Sequence, residues 1–210
     1  MSATAIRIAV SQAMAVAERL LAHLEPVCQR IQIAGSIRRG LPTVGDIELC
    51  AVPKTETRYE RDMFGETVGT AQVDLLDARL TTMLDNDIVA RRLRSDGKTV
   101  WGRQMKYLTF EGVNVDLFTP DAQRFGLILM IRTGPAAYSH QLVTERGKAL
   151  VVGHQPNGRP ITRYGLLPSH LRVQDGWLTS RFSGIRIPTP EERDFYEHTR
   201  LPYIDPQDRR

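Results

Sequence analysis

Residues 34–52 read AGSIRRGLPTVGDIELCAV, and the two halves of this stretch decide the fold that surrounds it. In the second half Asp46, Ile47, Glu48 and Leu49 alternate acidic and apolar side chains. Residues two apart on a strand share a face, so both carboxylates project from one side while Ile47 and Leu49 enter a core. The first half is a turn. Residues 30–34 alternate as a strand, Gly35-Ser36 open a short helix, and Pro42 to Gly45 lead the chain into the acidic strand. Gly35-Ser36-Ile37-Arg38-Arg39-Gly40 contains the groups that hold phosphate: backbone amides at a helix start, a hydroxyl and guanidinium groups.

Upstream, residues 6–24 place Val10, Met14, Ala17, Leu21 and Leu24 at spacings of four and three, which predicts an amphipathic helix over about residues 6–25. Downstream, residues 55–69 are polar and charged without a steady period and read as a solvated loop. Residues 71–85 predict a second helix with Val73, Leu76, Leu80 and Leu84 on one face. Residues 104–110 and 113–118 flank Glu111-Gly112, a two-residue hairpin turn, and Pro120 closes the second strand. That strand bears Asp116 between the apolar Val115 and Leu117. Residues 121–146 look helical in two pieces broken at Thr133-Gly134-Pro135, and residues 150–187 are short segments rich in Gly and Pro. The expected class is therefore α/β: a mixed or antiparallel sheet backed by the first two helices, then a smaller α+β unit. The expected boundary separates residues 1–122 from 123–210.

Composition narrows the class of function. The chain has 210 residues, 41% of them hydrophobic, enough for an ordinary core. Lys plus Arg number 28 against 24 Asp plus Glu, a net charge of +4 that favours anionic partners. Cys28 and Cys50 are too few for a disulfide framework, and the first residues lack a secretory pattern, so an intracellular, reducing setting is expected. The longest apolar run, residues 126–131, is far short of the roughly 20 residues of a membrane span. No membrane partner is expected. The five histidines are not spaced as a zinc site with the two cysteines.

If the hairpin pairs beside the acidic strand, Asp46, Glu48 and Asp116 converge on one sheet face. They would repel strongly without a divalent cation. Each acid alone reads equally as a solvent-facing strand residue. The basic series Arg91, Arg92, Arg94, Lys98, Arg103 and Lys106 reads either as a track for a phosphate backbone or as a solvated face.

Taken together, Gly35 to Gly40, Gly45 to Glu48 and the lone Asp116 resemble the palm signature of the nucleotidyltransferase superfamily, specifically the family X DNA polymerases typified by DNA polymerase beta. Thr133-Gly134 resembles that family's Thr-Gly step before the nucleotide helix, and residues 205–209 its C-terminal Glu-Pro-x-Asp-Arg stretch. Only 34 residues precede Gly35, so the chain is similar to the small viral members, which lack an N-terminal lyase domain. The resemblance implies short-gap DNA synthesis in repair on a primer-template or gapped DNA, by a monomer in the cytoplasm or nucleoid. It implies two Mg²⁺ ions, or Mn²⁺ in their place, held by the catalytic Asp46, Glu48 and Asp116. It further implies contacts to a nucleoside triphosphate from Gly35, Ser36, Arg39, Gly45, Thr133, Gly134, Tyr138 and Ser139. Arg38 is expected to turn outward.

Some residues depart from the family. Glu48 stands where the polymerases have Asp, as in aminoglycoside nucleotidyltransferases, and the aromatic pair before Thr-Gly becomes Ile131-Arg132. The family's Asp and Asn contacts to the nucleotide fall on Ala136 and Ser139. Gly134-Pro135 is expected to be cis, turning the carbonyls of Arg132 and Thr133 toward the nucleotide sugar, against the competing reading of a trans proline at the first turn of the following helix. Tyr138 reads either as a nucleotide contact or as packing, and His140, which follows on the same expected helix, either as a stacking group for a base or as filler. Transfer to another acceptor, or a catalytically silent nucleic-acid-binding module, are the alternative functions.

Overall fold

The computed structural model describes residues 7–94 and 96–209. Ile6, where the first helix was expected to begin, lies outside them. The chain enters through β1 (Ile8–Ala9) and α1 (Val10–Leu24), then β2 (Cys28–Ile33), the single turn α2 (Gly35–Arg38), β3 (Thr43–Val44) and β4 (Ile47–Pro53). Next come β5 (Thr55–Arg61), β6 (Thr67–Asp74), α3 (Leu75–Asp85), β7 (Val89–Arg91), β8 (Met105–Phe110) and β9 (Val113–Phe118). The second part contains α4 (Phe125–Thr133), α5 (Ala136–Val143), β10 (Ala149–His154), β11 (Pro160–Tyr164), β12 (Leu171–Gln174), β13 (Trp177–Ser180), β14 (Arg186–Ile187) and α6 (Glu192–Thr199). The protein is mixed α/β. Among the described residues no helix is long and apolar enough to cross a membrane.

The main sheet has the order β2-β4-β9-β8-β7, antiparallel except where β4 runs parallel to β9. Strand alternation gives it two different faces. Ile47, Leu49 and Ala51 of β4, Val115 and Leu117 of β9 and Leu108 and Phe110 of β8 pack against α1 and α3. On the opposite face Cys50, Val52 and Phe118 lie under Phe125 and Leu129 of α4. That second face is apolar where α4 covers it and acidic beyond, at Glu48 and Asp116.

The first helix begins later than its periodicity suggests, because Ile8–Ala9 pair with Thr43–Val44 and the Val10 amide donates to the Pro42 carbonyl at 3.0 Å. Its buried stripe is Ala13, Val16, Ala17, Leu20 and Leu24, while Met14 and Leu21 flank the core. The β8–β9 hairpin turns at Glu111 and Gly112, with φ of 49° and 75°, the paired left-handed values of a two-residue turn.

Two expectations fail here. Residues 55–69 are not a loop: they make most of the antiparallel β5–β6 hairpin, which also takes residues 71–74 from the expected second helix. The Asp62 carboxylate accepts from the Phe64 and Glu66 amides, both at 2.9 Å, and closes its turn. Thr55, Thr57, Tyr59, Thr67 and Val68 favour extended backbone, yet all are exposed, so no apolar period betrays the strands. The helix then starts at Leu75, where the Asp74 side chain caps the Asp77 amide at 2.9 Å.

Beyond β9 the break at Thr133-Gly134-Pro135 separates α4 from α5 as the sequence indicates, but the peptide before Pro135 is trans. Pro135 lies at the N-cap of α5 with φ of −60°, an ordinary proline value needing no cis bond. A second core gathers Leu127 and Met130 of α4, Tyr138 and Leu142 of α5, Leu171, Leu178, and Phe195 and Tyr196 of α6. One face of α4 thus seals the main sheet while another builds this second interior.

Candidate active site

Parallel pairing of β4 with β9 sets Glu48 directly opposite Asp116. Asp46 occupies the bend before β4, two residues from Glu48. The three acids meet at one end of one face. Burial, then the charges of Asp46 and Asp116, push the Glu48 carboxyl up to about 7. Burial also raises Asp116, although Arg92 offsets part of the rise. Clustered carboxylates with raised affinities for protons form a site short of positive charge.

The donor set, oxygen only and three-fold acidic, suits a hard divalent cation such as Mg²⁺ or Mn²⁺. Among the described residues no three acidic, His or Cys groups stand as a ready cage. Asp116 is instead engaged by Arg92, whose Nη2 donates to Oδ1 at 2.5 Å. The donors fit the ion in chemistry and in strand register, with Asp116 held by an internal cation.

The single turn of α2 lies against this cluster. Gly35 has φ of 63°, and a Cβ built there would fall 1.9 Å from Glu48 Oε2. The carboxylate therefore fills space that only glycine leaves open. The Ala34 amide donates to the Glu48 carbonyl at 2.7 Å and fixes the turn to the strand. Ser36 stands half-buried in that turn. Arg39 donates from Nη1 to the Thr133 carbonyl at 2.5 Å, and its other nitrogens have no hydrogen-bond partner among the described residues. Burial lowers the pKa of its guanidinium. Gly45 sits in the bend before Asp46, with no heavy atom within 4 Å of a Cβ there and no left-handed φ.

Arg38 does not turn outward. It forms a bidentate pair with Glu192 at 2.8 and 3.1 Å and donates to Thr133 Oγ1 at 2.8 Å. Arg209 reaches the same carboxylate at 2.6 Å and Tyr203 at 3.3 Å. Burial pushes Glu192 up, but the hydrogen bonds from Arg38 and Arg209 outweigh it and hold the carboxyl below its usual range. The C-terminal residues are thus tied to the α2 turn through α6.

The Thr133 to Ser139 segment serves the interior. Thr133 is fully buried, both its oxygens engaged by Arg38 and Arg39. Its carbonyl therefore faces a guanidinium, where a nucleotide sugar was expected. A Cβ at Gly134 would lie 2.6 Å from Ser139 Oγ and 2.7 Å from Tyr138 Cδ1. The Tyr138 hydroxyl bonds to that of Tyr196 at 2.8 Å, and the Ser139 hydroxyl donates to the Ile131 carbonyl at 2.7 Å. Both side chains are buried, so the packing reading of Tyr138 fits its surroundings; His140 is exposed.

Two arginines near the acids escape sequence reading. Arg132 stacks on Phe118 with its guanidinium carbon 4.0 Å from the ring centroid. It has no hydrogen-bond partner among the described residues, its Nε is buried, and it lines a cavity of about 390 Å³ with Met105, Ile128 and Arg124. The other is Arg92, whose role sequence could only group with its basic neighbours. Of that series Lys106 is buried and pairs with Asp77, Arg91 stacks on Trp101 and Arg94 pairs with Asp96, while Arg91, Arg94, Lys98 and Arg103 stay exposed to solvent.

The chain matches no model of a known protein family and no curated protein.

Proposed function

We propose that the chain is a nucleotidyltransferase of the family X DNA polymerase type, adding deoxynucleotides to a primer 3′ end in short-gap repair. The observation that supports this reading most is the β4–β9 register, which sets Glu48 opposite Asp116 with Asp46 beside them and the Gly35–Arg38 turn packed on Glu48. A palm of this kind needs three carboxylates adjoining a loop able to hold phosphate. Such a protein would work inside the cell on gapped DNA and nucleoside triphosphates.

Asp46, Glu48 and Asp116 would hold two Mg²⁺ or Mn²⁺ ions. When bound, these supply a lowered pKa at the primer 3′ hydroxyl and neutralise charge on the triphosphate. Ser36 and the free nitrogens of Arg39 bind phosphate oxygens and stabilise charge on the departing pyrophosphate. The bond from Arg39 to the Thr133 carbonyl keeps that guanidinium at the junction with α4. Asp116 accepts the hydroxyl proton.

Primer extension tests the reading with a gapped duplex, a blunt duplex and single-stranded DNA, each with Mg²⁺ or Mn²⁺. Template-dependent extension of the gapped duplex, lost in Asp46→Asn and Asp116→Asn, is expected. Extension that ignores the template would assign an untemplated 3′ end as acceptor. Full turnover in either Asn variant would remove the carboxylates from the mechanism.

A further inference from the structure

Arg92 is placed with unusual care for a residue that follows a three-residue edge strand. Its backbone amide donates to the Tyr107 carbonyl at 3.1 Å, and its guanidinium carbon lies 4.5 Å from the centroid of the Tyr107 ring. Tyr107 is the register partner of Asp116 across β8 and β9. Ring, guanidinium and carboxylate therefore lie together on the acidic face of the sheet. The Nη2 to Oδ1 contact is 2.5 Å, with side chains only 20% and 15% exposed. By contrast, the Arg19–Glu111 pair is 53% and 40% exposed. An ion pair so shielded, one strand from two further acids, neutralises the charge that the sheet concentrates there.

We propose that Arg92 is a built-in counterion, holding Asp116 while no metal is bound and giving it up to the divalent cation. This rests on the nucleotidyltransferase reading of the three acids. A guanidinium bonded to Oδ1 and a doubly charged ion on the same carboxylate repel one another at close range, so the two occupancies compete. Asp46 and Glu48, which no cation hydrogen-bonds among the described residues, are the acids open to an ion first. Asp116 joins only after Arg92 withdraws. The anchored backbone and the Tyr107 face keep the released side chain on the sheet, ready to return.

The exchange is read in the full chain, without nucleotide, by calorimetric titration with Mn²⁺ and by thermal melting in chelator. Arg92→Gln should melt lower in chelator, having lost the counterion, yet bind Mn²⁺ about fivefold more tightly, the factor that about 1 kcal/mol of relieved competition produces. Asp116→Asn should weaken Mn²⁺ binding and abolish the gain when combined with Arg92→Gln. Should Arg92→Gln fail to fold, Arg92→Lys keeps the charge, loses the planar fork, and is expected to tighten Mn²⁺ binding by a smaller factor. Unchanged or weaker Mn²⁺ binding in the folded Arg92 variant, with Asp116→Asn still impaired, would overturn the exchange alone. Mn²⁺ binding indifferent to Asp116→Asn would instead remove Asp116 from any metal site, and the nucleotidyltransferase reading with it.

Discussion

The Glu48 carboxylate occupies the space of the side chain that Gly35 lacks: Oε2 lies 1.9 Å from where a Cβ would stand. The residue that turns the loop is thus also the residue that seats an acid of the site. Gly35→Ala must both adopt a left-handed φ and push Glu48 aside. The backbone alone costs about 1 to 2 kcal/mol. We expect a folded protein that melts lower and loses at least about tenfold in Mn²⁺ affinity, the effect of about 1.4 kcal/mol at one ligand. Gly153→Ala, whose Cβ would meet Ile161 Cδ1 at 3.8 Å, is the control and should change neither. Equal Mn²⁺ affinity in both variants would separate the loop from the acids.

The raised proton affinity of Glu48 sets a pH dependence of stability. Its carboxyl titrates near 7 in the folded protein, above its ordinary value of 4.5. Between these values the unfolded chain has released the proton and the folded one has kept it, so stability falls as pH rises through the window and is level above it. Glu48→Gln removes this slope. At pH 8 in chelator it should gain about 3 kcal/mol, at about 1.4 kcal/mol for each unit between 4.5 and about 7, or roughly 6 to 12 °C in Tm for a chain of this size. The gain should vanish below pH 4.5, where both states are protonated. Melting curves across this range decide it, and an unchanged slope in the variant would refute the assignment.

Adjacent arginines have divided tasks. Arg38→Ala removes a bidentate pair and a bond to Thr133 but leaves buried Glu192 with Arg209, so it should cost about 1.5 to 3 kcal/mol, the range for hydrogen bonds to a charged group. Arg39→Ala removes one bond to a carbonyl and two nitrogens that the proposed function assigns to phosphate, so its stability loss should stay near 1 kcal/mol while KM for the nucleotide rises about tenfold. Chemical denaturation and steady-state kinetics on the two variants should give opposite rankings. If Arg38→Ala is the milder variant in denaturant, the Glu192 cluster does not join the loop to α6.

Arg132 has a ring beneath it and no hydrogen-bond acceptor among the described residues. Such a guanidinium contributes little to folding beyond its packing on Phe118. Arg132→Met, which keeps a long apolar stem there, should lie within about 1 kcal/mol of the parent. Nucleotide KM, by contrast, should rise several-fold if Arg132 serves the same ligand as Arg39. A large stability loss with unchanged KM would make it a structural counterion of the acids.

How much of this was legible in the sequence depends on whether the pattern is local. Alternation in 46–49 and 113–118 placed Ile47, Leu49, Val115 and Leu117 in the core and three carboxylates opposite them, because a strand's two faces are fixed by its own backbone. The Glu111-Gly112 turn and the break before α5 follow from turn chemistry in the same way. The β5–β6 strands were hidden because both their faces meet solvent, which leaves strand propensity without a period. The cis bond expected at Gly134-Pro135 borrowed a strain that the trans proline at the α5 cap does not have.

Tertiary structure alone decided the partners. Nothing near Asp116 in sequence announces Arg92, 24 positions earlier, and nothing near Arg38 announces Glu192, 154 positions later. Parallel pairing of β4 with β9 brings Glu48 to Asp116, and α4, α6 and the C-terminal turn close on the loop from the other side. Periodicity reports which way a side chain points relative to its own backbone. Which charge waits there depends on where distant segments cross, and only the packed chain fixes that crossing.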